Sequence, residues 1–272
     1  MTIKEVFPNP TVKLVAFELK FPNLFYLESK VGDYQVKIMT DFPESSLLLR
    51  QQLTFTNVGP QGRLEQPDEL LDKEWSRKVW HFKSPKDFEL ELTTDSLVLK
   101  SAHHKTYYLK GGDKFRDIIA TAVNSFLEVT ALPKINRIGL RYIDECPLPS
   151  KDNSTFKSYY NSVFPVDRFN LEGAKEMAFQ TVVASGAHFL RYAEALKLVA
   201  ENQYVLVLDF DGFSQNVEPQ NYLAVADELH TLISNEYEKT IREPVKKFMR
   251  KRKVKEVIAA PVKPVMRKPK EK

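Results

Sequence analysis

The sequence is poor in the residues that staple or ligate. It has one cysteine, Cys146, five histidines, nine glycines and two tryptophans in 272 residues. A single cysteine closes no internal disulfide and excludes every cysteine-built zinc site. That usage fits a reducing, cytoplasmic setting. His81, His103, His104, His188 and His230 show neither HxH nor HxxxH spacing, so an all-histidine metal site would need distant positions brought together. No motif calls for a metal or a cofactor, and none is expected. Apolar runs such as residues 204–210 fall far short of the roughly 20 residues that cross a bilayer. The opening MTIKEVFPNP lacks the apolar stretch of a secretory signal. No membrane partner is expected.

At 43% hydrophobic and 28% charged residues, the composition is that of an ordinary globular chain, long enough to bury a full core without staples. The formal charge of +4 conceals a split. Residues 242–272 hold 13 basic and three acidic side chains, a net +10, whereas residues 1–241 hold 27 basic against 33 acidic, a net −6. An acidic body is therefore joined to a basic tail.

Period-two alternation marks strands at residues 11–21, 34–40, 47–58, 75–83, 88–93, 97–101 and 105–110, with Pro, Gly and Asn punctuation between them. Short strands with close connections argue for an antiparallel meander rather than βαβ units. Residues 113–130 form the first amphipathic helix, with Phe115, Ile119, Val123 and Phe126 on one stripe, Asp113 as N-cap and Pro133 as its stop. Strands resume at 135–145, ended by Pro147. A short helix is expected within 155–164, a hairpin turns at Gly186 between 175–185 and 189–199, and residues 204–213 form a continuous apolar strand. A second long helix runs from Pro219 to about Ile241, with Leu223, Ala226, His230, Ile233 and Tyr237 on its apolar stripe. The fold class is thus α+β: antiparallel sheets with two long covering helices, in two similar strands-then-helix halves over residues 1–132 and 133–245. Residues 246–272, basic and rich in proline, are expected to be a disordered tail.

Four residues are candidates for a ligand site. Arg137 and Arg141 share a strand face with Gly139 between them, and arginine forks suit phosphate or carboxylate. Asp209 and Asp211 share another, where two carboxylates can hold a hard cation. For both pairs the plain alternative is cross-strand ion pairing. Gly111-Gly112-Asp113 opens a helix without phosphate-loop spacing and reads as a turn and cap. His230, inside an apolar stripe, reads as a core histidine. Arg250, Lys251, Arg252 and Lys253 form a basic run that attaches to polyanions through counterion release, or folds back on the acidic body.

VLVLDFDGFS resembles the first motif of the haloacid-dehalogenase phosphatases, whose first Asp attacks phosphorus. Fewer than 60 residues follow it, and the strands before it do not alternate with helices as that fold requires. A second resemblance rests on an ordered set: PTVKLVAFELKFPN, RIGLRYID, LDFDGF and LHTLISNEYEKTI. Together they resemble a sporadically distributed, uncharacterised prokaryotic family of similar length, over about residues 6–245. The resemblance implies a stand-alone, soluble, cytoplasmic protein, and its patchy distribution suits an accessory or defence gene. It brings no catalytic residues with it, and the basic tail is longer than the family's pattern.

Three functions are expected in order: a non-enzymatic binding or interaction module with a protein partner, a phosphate-handling enzyme or nuclease using Arg137, Arg141, Asp209 and Asp211 in one cleft, and nucleic-acid binding through the tail.

Overall fold

The computed structural model describes residues 5–51, 76–102, 106–108, 114–201 and 203–251. Alternation dictates its first strand. In β1 (Val12–Lys20), Val15, Phe17 and Leu19 are fully buried, while Ala16, Glu18 and Lys20 take the opposite face. The other strands are β2 (Glu44–Gln51), β3 (Ser76–Lys83), β4 (Phe88–Leu92), β5 (Ser96–Ser101), β6 (Ile135–Leu148), β7 (Ala178–Ser185), β8 (His188–Ala200) and β9 (Gln203–Val217); β5 keeps the same alternation, whereas β2 and β7 bury no described residue. All nine join one antiparallel sheet in the order β2-β3-β4-β5-β1-β6-β9-β8-β7.

The two halves expected from sequence are contiguous blocks of that single sheet. In each, the first strand (β1, β6) leaves the sheet through a helix, and a meander returns so that the last strand (β5, β9) pairs with the first. A long helix then follows, α2 (Phe115–Val129) in the first half and α4 (Tyr222–Thr240) in the second. β1 and β6 pair antiparallel at the centre, with a register shift between Val12 and Leu14.

Both helices cover the apolar face. α2 buries Phe115, Ile119, Ala122, Val123 and Phe126, and its Phe126 ring lies 5.0 Å from that of Phe21. α4 buries Ala226, Leu229, Ile233 and Tyr237 over β6 and β9. It approaches so closely that a Cβ at Gly212 would lie 3.2 Å from Ile233 Cδ1. Arg116 of α2 grips Asp227 of α4 through Nε and Nη2 at 2.8 and 2.9 Å.

The structure corrects four local expectations. Of the strand expected at 105–110, the described residues 106–108 hold an isolated bridge from Thr106 to Lys114 and a bend. Residues 34–40 are not a strand: α1 (Val31–Ile38) is a helix. Tyr34, Val36 and Ile38 alternate, but the buried set is Val31, Tyr34 and Ile38, at helical spacing, and Val36 is exposed. The Tyr34 hydroxyl then donates to Ala122 O at 3.1 Å across the core. β6 does not end at Pro147 but continues to Leu148. Past Asp144 it has no β1 partner in the ladder, so proline sits where one side is already an edge. Residues 246–250, assigned from sequence to a disordered tail, lie in helix α5 (Glu243–Arg250), because Val245 and Met249, four apart, bury one face of it. The expected short helix is α3 (Asn153–Tyr159), and Gly186 turns the β7–β8 hairpin at φ +60°. His103, His104, the Gly111-Gly112-Asp113 turn and cap, Arg252, Lys253 and the rest of the tail lie outside the described residues.

Candidate functional site

Parity places Arg137, Arg141, Asp209 and Asp211 together on the sheet face away from the helices. β6 and β9 are neighbours, with Arg141 opposite Asp211 and Ile143 opposite Asp209. The four residues do converge, and they neutralise one another. Arg137 Nη2 donates to both oxygens of Asp211 at 2.9 Å, and its Nη1 donates to Glu18 of β1. The guanidinium lies 4.8 Å from the Phe213 ring centroid and folds across Gly139, where a Cβ would collide with it. Glycine here is the floor on which Arg137 lies. Arg141 makes a two-pronged pair with Asp209, Nε to Oδ1 at 2.8 Å and Nη2 to Oδ2 at 2.5 Å. These hydrogen bonds to Asp209 hold Arg141 even more firmly protonated. An incoming phosphate would have to displace a carboxylate from each fork.

Of the basic run, Arg250 closes α5 and is held by Glu5 and by Glu243. Lys251 follows the helix and is exposed.

The fold also brings Ser214, His188 and Glu228 into line, which no spacing in the sequence announces. Ser214 Oγ lies 2.5 Å from His188 Nδ1, and Glu228 Oε2 lies 2.9 Å from Nε2. A nucleophilic triad needs its serine open and its acid enclosed. Here Ser214 is buried and the Glu228 side chain is 61% exposed, the reverse of that requirement.

A different site lies beneath α4. On the helix-facing side of β6, Tyr142, Asp144 and Cys146 follow the apolar Ile138 and Leu140. α4 lays His230, Ser234 and Tyr237 over them at helical spacing, and residues 5–12 with Met249 of α5 close the end. Asn9 N donates to Met249 O at 3.0 Å, pinning that closure. A pocket of about 140 Å³ remains, lined by Tyr107, Tyr108, Tyr142, Tyr237, His230 and Asp144 among others.

Its polar groups are ordered. Thr11 Oγ1 donates to Asp144 Oδ1 at 2.8 Å and lies 2.6 Å from the Tyr237 hydroxyl. Thr11 has one proton to give, so Tyr237 donates to Thr11 and Thr11 to Asp144. Burial pushes the Asp144 carboxyl up to about 7, against the smaller lowering effect of the Thr11 hydrogen bond. Burial drives His230 the other way, down to about 4, so its ring is neutral at neutral pH. Tyr107 stacks on that ring at 4.1 Å, and Tyr142 OH lies 3.2 Å from Nδ1. Burial likewise pushes the Cys146 thiol well up, so it is no thiolate nucleophile.

Asp144 differs from the other buried carboxyls. Glu91 receives Lys100 on Oε1 and Arg50 on Oε2, each at 2.8 Å. Glu194 receives Tyr192 and Val163 N on one oxygen and Ser162 on the other. Asp211 has both oxygens on Arg137. Asp144, 6% exposed, has a partner among the described residues on Oδ1 alone. Sequence reasoning found His230 as a core residue but passed over Asp144, Tyr142, Thr11 and Tyr107. The available signal was parity: in RIGLRYID the inward series Ile138, Leu140, Tyr142 carries on to a carboxylate.

The pocket is aromatic, half open and holds one strongly perturbed carboxyl, the combination that marks ligand sites. No protein-family model matches the chain, and no curated protein or solved structure matches it significantly. No helix among the described residues is long and apolar enough to cross a membrane. Among those residues no group of three or more His, Cys, Asp or Glu side chains stands ready for a metal ion.

Proposed function

We propose that this protein is a non-enzymatic binding module and that the pocket beneath α4 is its binding site. One observation carries the reading: Asp144 is buried in an aromatic-walled pocket with Oδ2 left without a described partner. Among the described residues no buried side-chain oxygen or nitrogen lacks a partner, so Oδ2 is the accessible side of the carboxyl. A ligand donor placed there gains a hydrogen bond, charge-assisted when Asp144 is ionised, which is a reason for affinity. The surrounding groups favour holding over reacting: the neutral His230 is engaged by Tyr142, Ser234 and the Tyr107 ring rather than directed at a reacting atom. The resemblance to a sporadically distributed prokaryotic family supports an accessory role of this kind.

The test is a screen of small fragments, about the size of benzene, followed by NMR on the full chain. Binders are expected to shift the resonances of Tyr142, Asp144 and Ser234. Ser234→Phe, which fills the pocket, is expected to abolish the shifts while circular dichroism stays native. Binders that map only to the opposite sheet face, or that survive Ser234→Phe, would overturn the reading.

A further inference from the structure

The chemistry of the lining narrows what the pocket can take. Among the described residues its two acids are Asp144 and Glu5, and none of its described lining residues is a lysine or arginine. Glu5, at the exposed end, is already clasped by Arg250 at 3.1 Å. Asp144, at the inner end, has no cation beside it among the described residues, and its one described hydrogen bond comes from the neutral Thr11. The remaining walls are four tyrosines, His230 and apolar side chains. An anion brought here would meet two carboxyls and no cation. A neutral apolar molecule would fill the space and leave Asp144 Oδ2 unsatisfied. A cation with alkyl groups would satisfy the carboxylate with a charge-assisted contact and lay its alkyl groups on the apolar lining. Aromatic walls with one acid are a setting in which ammonium groups are recognised.

We propose that this pocket binds a small organic ammonium, with its positive charge set against Asp144 Oδ2 and its alkyl groups against the tyrosine side chains. The volume of about 140 Å³ limits the ligand to a compact molecule, because cavities of roughly 150 Å³ admit benzene. The inference rests on the pocket being the binding site and adds the ligand's charge.

Binding of this kind is coupled to protons. The groups that face Asp144 are Tyr142 and Cys146 from its own strand, His230 and Tyr237 from α4, and Glu5 with its partner Arg250 at the mouth. Of these, Tyr142, Tyr237 and Cys146 are pushed upward and His230 downward by burial, while burial brings Asp144 to about 7, where its charge changes near neutrality. A cation that requires the carboxylate expels its proton, so affinity rises with pH through about 7.

The experiment compares two probes on the full chain by calorimetry and NMR: choline, and its uncharged isostere in which a tert-butyl group replaces the trimethylammonium. Choline is expected to bind at least about tenfold more tightly, the ratio of one charge-assisted contact. It should release a proton, read as a binding heat that depends on the buffer's ionisation enthalpy. Asp144→Asn should remove the preference for choline. If that variant does not fold, the wild-type protein decides: choline affinity must fall at acidic pH while the isostere's stays level. Equal binding of both probes within the pocket would overturn the ammonium assignment and leave the binding-site reading intact. No shift of pocket resonances with either probe would overturn both.

Discussion

The two faces of the sheet treat buried charge in opposite ways. Away from the helices, every carboxylate of the central ladder is matched. Asp211 and Glu18 share Arg137, Asp209 has Arg141, and Arg191 lies in register across from Asp211. Beneath α4 no described residue supplies Asp144 with a cation: it is buried against Thr11, and its charge is suppressed instead of compensated. The first arrangement is a closed electrostatic unit that holds strands together and has little left for a ligand. The second is an open one. Charge pairing therefore tells a structural cluster from a candidate site better than the mere gathering of charged residues does.

The contrast can be broken by mutation and pH. The largest effect is expected at Asp144. Its folded carboxyl titrates near 7 and its unfolded one near 3.8. The stability contributed by the protonated form is therefore full below the unfolded value and lost as pH rises through the folded one. Asp144→Asn should gain on wild type by on the order of 4 kcal/mol between about pH 4 and pH 8, read from urea midpoints. His230 runs oppositely, because its folded value of about 4 lies below the ordinary 6.5. Its contribution is present above 6.5 and lost as pH falls toward 4, so His230→Gln should lose ground to wild type by on the order of 3 kcal/mol from about pH 4 to 6.5. On the other face, Arg137→Met strands the buried Asp211, leaves half-buried Glu18 with Lys20 alone, and should cost about 3 kcal/mol. Gly139→Ala, which lifts Arg137 off its floor, should cost about 2 kcal/mol. Arg141→Met removes a pair whose side chains are 49% and 24% exposed and should cost less than about 1 kcal/mol. None of the three open-face variants should alter binding at the pocket.

Much of the framework was legible because it is local. Period-two runs placed β1 to β5, turn residues and an apolar run placed β6 to β9, and the stripes on Phe115–Phe126 and Ala226–Tyr237 gave the two covering helices. Residues 34–40 misled because Tyr34 and Ile38 fit both periods, and only the burial of Val31 with exposure of Val36 decides between them. The helical start of the tail was hidden by its charge: two apolar residues, Val245 and Met249, suffice to dock it. The ladder residues were named correctly, but their pairing depends on β6 and β9 being neighbours, across 68 residues for Arg141 and Asp209. The pocket was not legible. Asp144 meets Thr11 from 133 residues away, and Thr11 meets Tyr237 from 226 away. Neither spacing nor composition encodes such a meeting.

The most direct test is the titration of the Asp144 carboxyl itself, followed by its side-chain carbon resonance in NMR on the wild-type chain. The expected midpoint is about 7, moving down when choline is added. A midpoint near the ordinary aspartate value of about 3.9, unmoved by choline, would contradict an uncompensated carboxyl held ready for a cation.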